Sequence, residues 1–90
     1  MELNGKVIVI NDEENVSTSF KKRLLVIETE EQYVQKIPID FVQGKCDLLN
    51  EIGIGDKVKV SINVRGNEYN EKYYVSLNGW KIEVTEKANF

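Results

Sequence analysis

The sequence predicts an all-β fold with one short helix. The clearest strand lies at residues 57–65, where four β-branched residues alternate with polar and basic ones. That period of two is typical of a strand with one apolar face and one polar, cationic face. A second strand-like stretch follows at 72–84. Between the earlier strands and this pair, residues 42–52 change to the period of a helix.

The first two strands are predicted from the N-terminal third of the chain. Residues 3–10 form the first, and Gly5 near its start suggests a bend or a bulge. Residues 11–19 are polar, which indicates a loop. The second strand, 22–29, is apolar on both parities from 24 to 27. Either both of its faces are covered, or one face meets a partner or a ligand.

The third strand and the helix follow. Residues 33–41 alternate as a strand, but Pro38 cannot donate to a ladder, which predicts an edge position or a bulge. Residues 42–52 place Val42, Cys46 and Leu49 on one apolar stripe, and Gly53 ends the helix.

The order of the elements selects the architecture. Gly55 and Asp56 turn the chain into the fourth strand, and a loop at 66–71 joins it to the fifth. Five strands with a helix between strands 3 and 4 predict a five-stranded Greek-key OB-fold barrel. An SH3-like barrel would lack that helix, and a ubiquitin-like fold would place it after two strands.

Length and composition bound the function. We expect one OB-fold domain, residues 1–90, because a chain of this size buries one core. No apolar run is long enough for a membrane helix, and the first residues do not resemble a signal peptide. The one cysteine cannot form an internal disulfide, so we expect a cytoplasmic protein that does not contact membranes.

Enzyme chemistry is not indicated. The chain has no histidine, so the commonest proton shuttle and metal ligand is missing. Cys46 has no base beside it in the sequence and is interpreted as a small packed residue. There is no phosphate-binding loop and no metal-ligand spacing. We therefore expect no catalytic residues, no metal site and no cofactor.

The candidate site follows from the fold. An OB-fold binds oligonucleotides on the face of strands 2 and 3, between two of its loops. A single nucleic-acid strand needs cations for its phosphates and rings for its bases. Residues of both kinds map to that region, and the predicted nucleic-acid-binding residues are Phe20, Lys21, Lys22, Arg23, Lys36, Arg65, Tyr69, Lys72 and Tyr74.

Plainer interpretations stay open for these residues. The run Lys21-Lys22-Arg23 is also what a solvated strand edge uses against aggregation. Arg65 could pair with a nearby glutamate, and Tyr69 could pack on the barrel rim. The net charge of −3 argues against a general polycation but not against a local basic face.

The aromatic residues of the fifth strand are assigned by parity. Tyr74 shares a face with Ser76 and should point outward. Tyr73 shares the other face with Val75 and is expected in the core. Gly79 can reset the alternation, which would bury Trp80, although core and ligand-facing positions stay open for Trp80 and for Tyr33.

Several runs resemble a known family, the domain of unknown function 3127. They are Glu30-Glu31-Gln32-Tyr33, Gln35-Lys36-Ile37-Pro38, Phe41-Val42-Gln43-Gly44-Lys45-Cys46-Asp47-Leu48-Leu49, Gly55-Asp56, Asn63-Val64-Arg65-Gly66-Asn67-Glu68-Tyr69 and Trp80-Lys81-Ile82-Glu83. The family consists of small OB-fold proteins of bacteria and their phages. It is grouped with single-stranded-DNA-binding proteins, so the resemblance implies that fold and, more loosely, that function.

The sequence therefore predicts a sequence-tolerant single-stranded-DNA-binding protein of replication, recombination or repair. RNA is an alternative ligand, since no residue pattern reads the 2′-hydroxyl. The rival hypothesis is a protein-interaction module on the same barrel. One small domain of modest charge should bind weakly, so we expect a homodimer or a higher homo-oligomer.

Overall fold

Six strands and one helix make up residues 1–88, the part of the chain that the computed structural model describes. In chain order they are β1 Glu2–Ile10, β2 Glu14–Ser17, β3 Phe20–Glu28, β4 Lys36–Val42, a 3-10 helix Gln43–Glu51, β5 Lys57–Tyr69 and β6 Lys72–Glu86.

Strand β1 closes the sheet into a barrel because it pairs on both of its edges. Its first half pairs antiparallel with β5 and its second half with β3. Strand β4 pairs with β3 antiparallel and with β6 in parallel, the latter at Asp40 and Asn78. The ring is β1-β5-β6-β4-β3, and β2 lies outside it as a short hairpin on β3. The predicted OB-fold is confirmed, with its helix between the third and fourth strands of the ring.

Gly5 lies just before the point where β1 changes partner. A Cβ at this position would stand 2.7 Å from the carbonyl oxygen of Glu28, so only glycine allows β1 to approach β3 this closely. The bulge itself lies further along, between Val7 and Val9. Gly5 therefore marks a close approach of two strands.

The core is built from the inward side chains of the five ring strands. Leu25 and Ile27 of β3 pair across to Ile39 and Ile37 of β4. The fully buried hydrophobic cluster is Val7, Leu25, Ile27, Ile39, Phe41, Leu49, Val58, Val60 and Ile62. The doubly apolar stretch 24–27 thus has one face in the core, and its other face, Leu24 and Val26, is half-buried.

The 3-10 helix covers one end of the barrel. It buries Cys46 and Leu49, and the Cys46 thiol donates a hydrogen bond to the carbonyl oxygen of Phe41 at 3.2 Å. Burial raises the pKa of the Cys46 thiol. A buried, protonated thiol with a backbone partner is a packing residue, as the sequence predicts.

Three loop predictions need correction. The polar stretch 11–19 contains β2, which pairs with the start of β3. The third ring strand begins at Lys36 and not at residue 33, because Thr29 and Gln35 close a loop between them through a backbone hydrogen bond of 2.9 Å. Tyr33 lies in that loop and is exposed.

The largest difference concerns residues 66–71, which are predicted as a loop. Strands β5 and β6 stay paired up to Tyr69 and Lys72, so the connection is only Asn70-Glu71. Both turn residues have positive φ, 51° and 64°, which is the conformation of a two-residue type I′ hairpin. The hairpin extends beyond the barrel, and residues 63–75 are all exposed.

The expectation that Tyr73 is a core residue is wrong. Tyr73 is 79% exposed and Val75 is 72% exposed. Both share a face with the packed residue Leu77, but they lie on the part of the hairpin that has left the barrel. Alternation correctly predicts the shared face, and the missing second layer leaves that face uncovered.

Candidate nucleic-acid interface

The outward side chains of β3 and β4 form one surface, here called the front face. Since Leu25, Ile27, Ile39 and Phe41 point into the core, the alternate residues of these strands point outward. Cross-strand register places them in four pairs: Lys22 with Val42, Leu24 with Asp40, Val26 with Pro38, and Glu28 with Lys36.

The exposed part of the β5–β6 hairpin, residues 63–77, is here called the ribbon. One of its faces carries Arg65 opposite Ser76, Asn67 opposite Tyr74, and Tyr69 opposite Lys72. This face continues to Asn78, which pairs with Asp40 of the front face. The front face therefore extends without a break from β3 to the hairpin tip, and it includes this side of the ribbon.

Strand alternation divides the basic run of β3. Phe20 and Lys22 have the parity of Leu24 and lie on the front face. Lys21 and Arg23 have the opposite parity.

Lys21 instead forms an ion pair with Glu13 at 2.8 Å. Its pKa is raised because Glu13 accepts a hydrogen bond from its charged form and attracts it.

Arg23 is held by the chain around it. Its Nε donates to the carbonyl oxygen of Asn11 at 2.7 Å, and its Nη1 donates to Oδ1 of Asn50, also at 2.7 Å. Asn50 belongs to the 3-10 helix, so Arg23 fastens that helix to β3. Of the nine predicted site residues, the fold brings seven to the front face and holds Lys21 and Arg23 elsewhere. The seven are Phe20, Lys22, Lys36, Arg65, Tyr69, Lys72 and Tyr74.

Ion pairing distinguishes the front face from the rest of the barrel surface. Among residues 1–88, the front-face cations form no ion pair; these are Lys22, Lys36, Arg65 and Lys72. On the outer surface of β1, β5 and β6, here called the back face, the cations are neutralised. There Lys59 pairs with Glu2, Lys81 with Glu83, and Lys57 with Glu30 and Glu86.

The front face is not uniformly positive. Asp40 lies at its centre, beside Leu24 on one strand and Asn78 on the other. A shallow pocket next to it is lined by Asn11, Asp12, Glu14, Lys22, Leu24 and Asp40. The surface thus has a cationic patch around Lys22, an acidic middle, and a larger cationic patch with exposed rings on the ribbon.

Trp80 is a surface residue that parity does not identify. The β5–β6 register shifts between Ser61 and Ile62, which pair with Lys81 and Gly79, so Trp80 is the extra residue of a bulge. Its side chain is 47% exposed and is not buried with Ile82. The bulge is accompanied by a close contact, because a Cβ on Gly79 would stand 2.6 Å from Cε1 of Phe41.

Two other kinds of site were considered. Within residues 1–88, no group of three or more potential ligands could hold a metal ion. In the same part of the chain, no helix is both long and apolar enough to cross a membrane.

The fold is shared with solved single-stranded-DNA-binding proteins. The mitochondrial protein Rim1 from S. cerevisiae superposes with a TM-score of 0.83 at 14% identity, covering 98% of this chain and 96% of that one. The second such protein of Mycobacterium smegmatis, SSBb, gives 0.71 at 13%, covering 93% and 82%. The N-terminal domain of PriB from Thermoanaerobacter tencongensis, solved as a dimer, gives 0.65 at 19%, covering 97% and 96%.

Sequence comparison gives a family and no close relative. No curated protein matches the chain. Residues 2–83 match the model of the family described as Domain of unknown function (DUF3127). Because that match spans well over half of its length, the protein belongs to the DUF3127 family.

Proposed function

We propose that the protein binds single-stranded DNA along the front face, with little dependence on base sequence. The observation that carries this proposal is the distribution of unpaired charge. Four cations without an ion pair share one continuous surface with exposed tyrosines, whereas the cations of the back face are neutralised by neighbouring acids. Charge for phosphates and rings for bases are the two needs of a protein that binds single strands.

The ribbon is the main contact region. Tyr69 is 69% exposed and Tyr74 is 52% exposed, so a base can stack on either ring without displacing the core. Arg65 and Lys72 lie on the same face and are within reach of the phosphates between stacked bases. Lys36 lies four residues before the Asp40–Asn78 pair, at the level of Tyr74 in the parallel strand.

The length of the surface suits a short segment of DNA. From the level of Lys22 to that of Lys72 the path crosses eight residue steps along β4 and β6, or about 27 Å at roughly 3.3 Å per step. OB-folds bind about 4–16 nucleotides each, and this length fits the lower end of that range. Phe20 beside Lys22 would hold the far end of the strand.

The structural neighbours support the same proposal. The proteins from S. cerevisiae and Mycobacterium smegmatis are named as single-stranded-DNA-binding proteins. At identities of 13–14% they supply the fold, and the argument for this chain comes from its own cations and rings. Single strands of this kind arise in replication, recombination and repair, where we place the protein.

A protein-interaction module is the second candidate. The acidic middle of the front face favours it, because Asp40 and Glu28 would repel phosphates that pass over them. The two candidates differ in their response to salt. If four phosphates are neutralised, log K should fall with log salt at a slope of about −2.8, since each phosphate contact on a single strand contributes about −0.7.

The test is a fluorescence titration of labelled oligo-dT at several salt concentrations. We expect saturable binding with the slope given above. Lys36→Gln should make the slope less negative by about 0.7. Lys59→Gln is the matched control, because it makes the same charge change on the back face, where Lys59 is paired with Glu2. It should leave the slope unchanged.

The rings are tested by a second pair of variants. Tyr69→Ala should weaken binding about 5- to 150-fold, the equivalent of one stack of about 1–3 kcal/mol. Tyr73→Ala removes an exposed tyrosine from the opposite face of the ribbon and should not weaken binding of a short oligonucleotide. Absence of binding at low salt, or equal losses in both members of either pair, would leave the interaction module as the better hypothesis.

A further inference from the structure

The ribbon has a second exposed face, here called the rear ribbon face. It carries Val64 opposite Leu77, Gly66 opposite Val75, and Glu68 opposite Tyr73. Val64 is 51% exposed, Val75 72% and Tyr73 79%. These side chains continue the inward parity of the barrel, but they lie beyond it. The surface is therefore made like a core face and has no core to cover it.

A ribbon of this kind needs a second layer. A two-stranded hairpin is only marginally stable in water unless a further strand or another element packs on it. Here the front side of the ribbon is polar and basic, so the apolar rear side is the one that a second layer would cover. Contiguous exposed apolar surface on a small protein commonly marks an interaction site.

Gly66 indicates what kind of surface fits there. Its φ is not in the left-handed region, and a Cβ at this position would meet nothing closer than 3.9 Å, the carbonyl oxygen of Tyr74. Nothing within residues 1–88 therefore requires glycine. Glycine inside a strand often marks a close approach by another backbone or side chain. The rear ribbon face thus presents a notch at Gly66 directly beside a projecting side chain, Val75.

The notch and the projection make this face complementary to itself. We propose that it seats the same face of a second copy of this chain, with Val75 of each copy entering the notch at Gly66 of the other. A two-fold axis near the Gly66–Val75 pair produces both contacts at once, as in any isologous interface. The face has no cation and one acid, Glu68, so a nucleic acid is excluded as the occupant, and an apolar surface is matched by its own copy.

The size of the face sets the strength of the dimer. Six residues on each of two strands give a footprint of about 20 Å by 10 Å, well below the roughly 800 Å² per partner of a stable interface. The dimer is therefore reversible and depends on concentration. Its two front faces point away from each other and stay open, so dimerisation does not depend on the proposed binding of DNA.

Sedimentation velocity tests the proposal, with wild type measured from about 1 to about 500 μM, a range that covers weak association. Wild type should pass from monomer to dimer. Gly66→Val should reduce self-association about tenfold or more, because two added methyl groups occupy the notch. Asn67→Val is the matched control, since it adds a similar branched side chain at the next residue, on the opposite face. It should dimerise like wild type.

Each other outcome overturns the proposal. A monomeric wild type at the highest concentration removes the dimer, and a dimeric Gly66→Val variant places the interface elsewhere. Loss of association in both variants would mean that the ribbon, and not its rear face, is needed. A thermal unfolding curve shows whether Gly66→Val remains folded. Titration of that variant with a short oligo-dT separates this result from the proposed function, because a monomer retains its front face.

Discussion

Single residues decide how the basic run of β3 is used. Three consecutive cations look equivalent in the sequence, yet alternation sends Lys22 to the front face and its two neighbours away from it. Lys21 is neutralised by Glu13 and Arg23 holds the 3-10 helix. The candidate site thus keeps one cation of the three, and it gains a carboxylate, Asp40, that the same alternation places at its centre.

Asp40 is expected to weaken DNA binding. At a few ångströms from a phosphate in water, one negative charge opposes binding by about 1 kcal/mol. Asp40→Asn should therefore raise the affinity for oligo-dT up to about fivefold at low salt. The gain should shrink as salt screens the charge. Asp47→Asn on the 3-10 helix changes the net charge equally and should have little effect, and an equal gain from both variants would argue against a central position for Asp40.

At the scale of elements, the β5–β6 hairpin carries both proposals. It extends beyond the barrel, so its two faces are exposed to different partners: one basic and aromatic, the other apolar. Its geometry depends on the two-residue turn Asn70-Glu71, where both residues have positive φ. Asparagine tolerates that conformation, whereas glutamate carries a Cβ that opposes it by about 1–2 kcal/mol.

Glu71→Gly should therefore stabilise the hairpin. We expect amide hydrogen exchange at the paired residues Tyr69 and Lys72 to slow by about fivefold, the equivalent of about 1 kcal/mol of relieved strain. Glu68→Gly removes the same charge from a strand position and should speed exchange, because glycine weakens a strand. Slower exchange in both variants would mean that charge, and not backbone strain, sets the stability of the hairpin.

At the scale of the whole molecule, Asp56 joins three distant parts of the chain. Its side chain accepts hydrogen bonds from the backbone N–H of Ala88 at 2.7 Å and of Gly53 at 2.9 Å. Its carbonyl oxygen accepts from Val7 of β1 at 2.9 Å. The bonds from Ala88 and then Gly53 hold the pKa of Asp56 below its ordinary value, because they favour the ionised carboxylate.

This lowered pKa predicts acid sensitivity. The stabilising contribution of Asp56 is present above the pKa of the unfolded chain, about 3.9, and is lost as pH falls through the folded value. The unfolding free energies of wild type and Asp56→Asn should therefore differ at about pH 7 and converge towards about pH 3. Urea denaturation at both pH values measures this. A difference that stays constant would mean that the charge of Asp56 does not matter.

Much of the fold follows from local pattern. The alternation in 57–65, the helical period at 42–52 and the glycines between them predict the order of elements, and that order is enough to select the OB-fold. The same alternation correctly groups Arg65 with Tyr69, and Lys72 with Tyr74. Strand β2 could not be predicted in this way, because its four residues are all exposed and have no apolar pattern.

The sequence by itself determined which side chains share a face, because the strand period is a local property of the backbone. Only the tertiary structure decided which of those faces are covered, since coverage depends on where each strand leaves the barrel and on what packs over it. Tyr73 has the parity of Leu77 but not its burial, and Lys21 has the charge of Lys22 but a carboxylate within 2.8 Å. Parity is set by neighbouring residues, whereas burial and ion pairing are set by residues far away in the chain.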